Sequence, residues 1–279
     1  MLHLSPFWFC TNTVPGGLCT ALDAAADFGF KYVELSAIDG VSEQIVAEKV
    51  CDEYVADVKN ELEKRGLSCI AVSGHCDITE DSSFSRFLKK LEFAGKIGAK
   101  YLNTRCGLKA RYSEFRQNLS VAVKAARPYD LQINLESYGD IVGGLRESYD
   151  VFEDIGDNNV RYNYDPGNIF RFARGDVSFA HDLAGDMKYL DTLHIKDAAV
   201  RDGYIIHTAV GYGDVRFEDI FDILGARLGT IGAGLEMPQT FKVRLSDFSR
   251  VDEYPTPAQT YENIAKSLDF IRAHCLIDM

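Results

Sequence analysis

Short apolar runs with β character alternate with longer helical runs eight times along the 279 residues, and no linker or low-complexity stretch interrupts the series. The β-like runs are 2–9 (LHLSPFWF), 31–36, 68–74, 100–104, 131–136, 160–165, 191–196 and 230–236. The helical runs are 19–29, 41–66, 81–98, 113–128, 146–156, 177–190, 216–229 and 256–274. Gly66 is placed to stop the second helix, Asp81 or Ser82 to cap the third, and Thr256 with Pro257 to open the last. Consecutive parallel strands need a crossover, which a helix supplies, so this order demands a parallel sheet. Eight units in about 250 residues is the size of a closed barrel. The sequence therefore predicts an α/β fold, a single (β/α)8 TIM barrel over residues 1–279. No GxGxxG follows the first strand, so the dinucleotide-binding open sheet lacks its fingerprint.

Composition narrows the function. Hydrophobic residues at 46% and charged residues at 26% describe an ordinary globular chain. A formal net charge of -12 gives no basic face with which to displace counterions from a nucleic acid, although it leaves room for a local basic pocket. The first residues, MLHLSPFWF, carry no basic segment or long apolar run, and no later stretch reaches membrane-spanning length. Seven cysteines, an odd number without a CxxC pair, are expected to be reduced and mostly buried in a cytoplasmic protein.

In a barrel of this type the C-terminal strand ends converge on one mouth, where active sites sit. Strand five ends at Glu136, strand six at Asp165, strand seven carries His194, and strand eight ends at Glu236. The first two intervals are 29 residues each, one βα unit; the third is 42, a unit plus the insertion DAAVRDGYIIHTAVGYGDV. Each residue alone has an ordinary explanation. Asp165-Pro166-Gly167-Asn168 is a fair β-turn, and a strand histidine is usually a hydrogen-bonded core residue. Four such groups on four successive strands meet at one point, however. Three crowded carboxylates repel one another, and a cation removes that penalty. The set suits one divalent metal ion, Mn²⁺, Mg²⁺, Co²⁺ or Zn²⁺.

The pieces YVELSA (32–37), VSGHCD (72–77), INLESYGD (133–140), YDPGN (164–168), LHIKDA (193–198), GYGDVRF (211–217) and GLEMP (234–238) resemble the xylose isomerase-like TIM barrel superfamily, in its sugar phosphate isomerase/epimerase group. The resemblance implies a metal held by Glu136, Asp165, His194 and Glu236, and proton transfer on a ketose by the two glutamates. Epimerases of the D-tagatose/D-psicose type carry a histidine three residues after the strand-six aspartate. Here that position is Asn168, and the DPGN form is similar instead to the L-xylulose/L-ribulose 5-phosphate 3-epimerase branch. Endonuclease IV, of the same superfamily, uses several more histidines in a three-zinc cluster. Of six histidines here only His75 and His194 end predicted strands.

The expected activity is therefore that of a metal-dependent epimerase or isomerase of a ketose or ketose phosphate. Glu136 and Glu236, from strands five and eight, would reach the substrate from opposite sides and exchange protons beside a metal-bound carbonyl. The alternative is a metal-dependent dehydratase or lyase on a keto-sugar, an inosose or a dehydroshikimate-type acid. His75, Asn168, Lys196, Arg201, Glu34 and Trp8 are further candidates for substrate contact; Lys196 and Arg201 would meet an enediolate oxygen or a phosphate. His207 is expected in a solvent-facing loop, and Asp197 is expected to orient the loop that follows it. The partner is a small carbohydrate, with no nucleic acid and no membrane, and a homo-oligomer stays open.

Overall fold

The computed structural model describes residues 2–279. Eight parallel strands close into a barrel: β1 (Phe7–Cys10), β2 (Tyr32–Ile38), β3 (Ser68–Ser73), β4 (Tyr101–Thr104), β5 (Gln132–Glu136), β6 (Val160–Tyr164), β7 (Leu190–Ile195) and β8 (Gly232–Leu235). Each pairs with its neighbours in chain order, and β8 closes onto β1. The strands are buried on both faces, which is why they read as apolar runs rather than as alternating ones. Among the described residues, no helix is long and apolar enough to cross a membrane.

The expected single first strand is two. Leu2–Leu4 pairs with Cys275–Ile277 at the barrel base, a cis Ser5–Pro6 bond follows, and only Phe7–Cys10 enters the barrel. The run 41–66 is helical only over Asp52–Glu63; before it come a short strand, Ser42–Glu43, and a 3-10 turn, Ala47–Lys49. The third helix, Asp81–Ile97, begins after Glu80 without a side-chain cap, so neither Asp81 nor Ser82 is the cap. The last, Pro257–His274, has the expected Thr256 cap, completed by Gln259 into a capping box. The sixth helical run, 177–190, shrinks to Phe179–Asp182.

The largest difference lies after β7. The insertion is a β-hairpin, not a loop: Asp197–Arg201 pairs antiparallel with Tyr204–Thr208. Asp202 and Gly203, at φ 50° and 78°, make the two-residue turn that asks for left-handed backbone at both positions. Phe241–Arg244 and Arg250–Asp252 extend the hairpin into a four-stranded sheet that walls one side of the mouth.

Inside the barrel, Trp8 fills the space beneath the mouth and stacks on Tyr101 with centroids 5.9 Å apart. This packing explains the glycines of GAGL in β8. A Cβ on Gly232 or Gly234 would run into the indole ring.

Candidate metal centre

Glu136 is the last residue of β5. Asp165 follows β6 and caps the helix Pro166–Phe172, accepting the backbone N–H of Asn168 at 2.9 Å. His194 is the penultimate residue of β7, and Glu236 follows β8. All four are almost fully buried, and their ligand atoms lie within 4.8 Å of one another. Nδ1 of His194 is 2.9 Å from Glu236 Oε2, 3.2 Å from Glu136 Oε2 and 3.9 Å from Asp165 Oδ2. The DPGN turn is thus a helix start, and its glycine is required. A Cβ on Gly167 would sit 2.6 Å from the Lys196 carbonyl oxygen.

Each glutamate has one oxygen toward this centre and one held from the side. Glu136 Oε1 accepts from Asn168 Nδ2 at 2.7 Å, and Glu236 Oε1 from Asn12 Nδ2 at 2.7 Å. His75 Nε2 lies 3.2 Å from Glu136 Oε2. Lys196 Nζ lies 2.5 Å from Asp165 Oδ2 and 2.9 Å from Glu236 Oε2. Beneath them Glu34 Oε2 meets His194 Nε2 at 3.0 Å. Glu34 in turn accepts from Trp8 Nε1 and from Asn103 Nδ2, each at 2.9 Å.

The charges do not balance. Burial raises Glu136, but His75 and His194 hold it well below the usual carboxylate range. Burial also raises Glu236, and Lys196 and His194 pull it below that range. Asp165 is the group left over: burial, then Glu136 and Glu236, push it up to about 7 against the pull of Lys196. Its buried Oδ2 makes no aligned hydrogen bond. Surplus negative charge on converging oxygen donors, with an imidazole nitrogen among them, fits a divalent cation. Cys10, Glu34 and His194 also lie close together. There, however, burial and then Glu34 hold the Cys10 thiol well above its usual range, and a thiol must ionise to ligate.

The other expected contacts divide. His75, Asn168 and Lys196 line the same pocket as Glu136 and Glu236. Glu34 and Trp8 do not; they lie under the ligand candidates in the barrel interior. Arg201 is carried outward by the hairpin, where its half-exposed guanidinium pairs with Asp214 at 2.7 and 2.9 Å. His207 is the reverse case. It lies on the hairpin, lines the pocket, and packs edge-on against Phe241 at 5.2 Å. Asp197 accepts backbone N–H groups of Ala198, Gly211, Gly213 and Val215 at 2.8 to 3.2 Å, and so anchors the segment after the hairpin. All seven cysteines are free, four of them buried, with Cys19 and Cys51 exposed.

Five polar pocket residues escaped the strand-end reading: Asn12 after β1, Asp39 after β2, Arg105 after β4, Tyr138 after β5, and Arg171 in the helix after β6. For the first four the signal was present, since each lies within two residues of a strand end.

The family model described as xylose isomerase-like TIM barrel matches residues 22–274. The chain belongs to that family. No curated protein matches it in sequence. Among solved structures, a xylose isomerase domain protein from Planctomyces limnophilus is 16% identical, with a TM-score of 0.70 over 98% of this chain and 96% of the other. A D-psicose 3-epimerase from Clostridium cellulolyticum H10, solved with D-tagatose, is 12% identical, with a TM-score of 0.71 over 96% and 99%. The probable 3-DHS dehydratase from Bacillus anthracis is 15% identical, with a TM-score of 0.64 over 83% and 92%. At these identities the likeness is one of fold, and the xylose isomerase-like barrel is shared across different chemistries.

Proposed function

We propose that this xylose isomerase-like protein is a divalent-metal-dependent epimerase or isomerase of a ketose or ketose phosphate. One observation carries the reading. Glu136 and Glu236 reach the same histidine nitrogen from non-adjacent strands, β5 and β8, and each keeps its second oxygen on a fixed amide donor. Glu136, Asp165, His194 and Glu236 would hold the cation, which supplies Lewis acidity to a substrate carbonyl and the hydroxyl beside it.

Both glutamates are held as carboxylates, so either can take a proton from the carbon next to the carbonyl. Asn168 and Asn12 fix the oxygens that face away from the ligand centre. The return proton needs a source on the opposite face. Lys196 Nζ, 2.9 Å from Glu236, and His75 Nε2, 3.2 Å from Glu136, give each glutamate its own neighbour to exchange with. Removal from one face and delivery to the other inverts the carbon. Burial of the whole set keeps bulk water from quenching the carbanion.

The test is incubation of the metal-loaded protein in D2O with a panel of ketoses, ketose phosphates and keto acids, read by proton NMR and mass. The expected product is inverted beside the ketone, at C3, with one solvent deuteron there. Product without deuterium overturns the two-base reading. Product that has lost water assigns the dehydratase reading at the same centre.

A further inference from the structure

Two positive charges at the mouth have no counter-charge. Arg105 and Arg171 line the pocket that contains Glu136 and Glu236, and Arg171 is only 8% exposed. Among the described residues neither guanidinium forms an ion pair, and the Nε of each is buried without a hydrogen-bond partner. The buried lysines behave otherwise: Lys90 is paired with Asp39 at 2.6 Å, and Lys196 with Asp165 and Glu236. The carboxylates that line the pocket are already engaged. Asp39, at the same mouth, is held by Lys90 and by Arg86, and those of the floor face His75, His194 and Lys196.

The two arginines are also fixed in place. Both guanidiniums lie against the ring of Tyr138, Arg171 at 4.8 Å and Arg105 at 5.7 Å from its centroid, and Arg171 lies 4.7 Å from that of Phe172 as well. Stacking on a ring occupies the face of a guanidinium and leaves its in-plane N–H donors free, the arrangement suited to a planar or tetrahedral oxyanion. A buried cation without a partner is costly, so a pair held rigid in a pocket is expected to meet its counter-charge in a ligand.

We propose that Arg105 and Arg171, clamped on Tyr138, form an anion subsite that binds a phosphate or carboxylate group of the substrate while its ketone lies at the glutamates. This rests on the proposed function only for what happens at the other end of the substrate; the anion subsite stands on its own geometry. It makes the substrate an anionic keto compound rather than a neutral sugar.

Two measurements test it on the full-length protein. The first is equilibrium binding of inorganic phosphate and of acetate at constant ionic strength, with the metal present and after chelation. Saturable binding should weaken at least tenfold in Arg171→Gln and in Arg105→Gln, each checked for native circular dichroism. If Arg171→Gln does not fold, Arg105→Gln gives the same reading from the more exposed of the two. Binding that is absent for both anions, or unchanged in the folded variants, overturns the subsite. The second compares kcat/KM for a neutral ketose, its phosphate and a keto acid. The anionic member should lead its neutral counterpart by at least a hundredfold, and that ratio should collapse in the variants; the leading arm identifies phosphate or carboxylate. A neutral ketose as the best substrate overturns the subsite. No turnover of any member, with arginine-dependent anion binding intact, overturns the proposed reaction and leaves the subsite standing.

Discussion

Glu34 Oε2 lies 3.0 Å from Nε2 of His194, on the ring edge opposite the one that faces Glu136 and Glu236. A carboxylate behind an imidazole fixes its tautomer: the proton sits on Nε2, and Nδ1 presents its lone pair to the ligand centre. Burial lowers the ring's proton affinity, and Glu34, Glu136 and Glu236 more than reverse this, which makes the nitrogen a strong donor. In the proposed centre Glu34 thus acts as a positioning residue behind His194 rather than as a sugar contact.

Glu34→Gln should therefore lower metal affinity by roughly 10- to 100-fold while the barrel stays folded. The amide removes the charge and brings an NH2 group among donors, since Trp8 and Asn103 already donate to this side chain. Competition with a fluorescent chelator measures the change. An affinity within twofold of wild type would show that His194 needs no carboxylate behind it.

Removal of a proposed ligand should act more strongly. The purified protein is expected to carry about one divalent ion per chain, and Asp165→Ala or His194→Ala should lose most of it. Inductively coupled plasma mass spectrometry reads the occupancy, and the loss of metal-dependent thermal stabilisation provides a second reading. Full occupancy in both variants would sink the four-ligand assignment.

Glu136→Gln and Glu236→Gln keep shape and remove the proton acceptor. Each should lower kcat by about 10²- to 10⁴-fold on a verified substrate, with the native circular dichroism retained. Near wild-type turnover in either variant would remove that glutamate from the chemistry.

His207 should make the folded state sensitive to acid. Burial, then Lys196 and Arg171, push its pKa down to about 3 from an ordinary 6.5. The folded protein keeps the ring neutral while the unfolded chain protonates it. The contribution is therefore complete above about pH 6.5 and is lost as pH falls toward 3, by up to about 1.4 kcal/mol per pH unit. His207→Gln should flatten this decline. Urea unfolding of both proteins at pH 6.5 and pH 4.5 gives the two slopes, and equal slopes would refute the assignment.

The barrel was legible because the alternation of β-like and helical runs is a local signal repeated eight times. The four ligand candidates were legible for the same reason, as each ends or nearly ends its own strand. What escaped depends on contacts distant in sequence. Glu34 was visible, but its role required knowing that β2 and β7 face each other across the interior. Arg171 stands inside a helix that looked like a turn. Arg201 and His207 exchanged places, inward for outward, because the Asp202-Gly203 turn makes the segment a hairpin; that dipeptide was the available signal.

Trp8 closes the barrel under the ligands, and Gly232 and Gly234 exist to admit it. The proposed centre is consequently closed from below. Its ion and its substrate would both come in from the mouth, so the ion would load first and the substrate would then cork it. Stripping by a chelator should slow in proportion to the fraction of protein with its mouth occupied, and a competitive inhibitor should act as a lock on the metal as well as a block on the reaction.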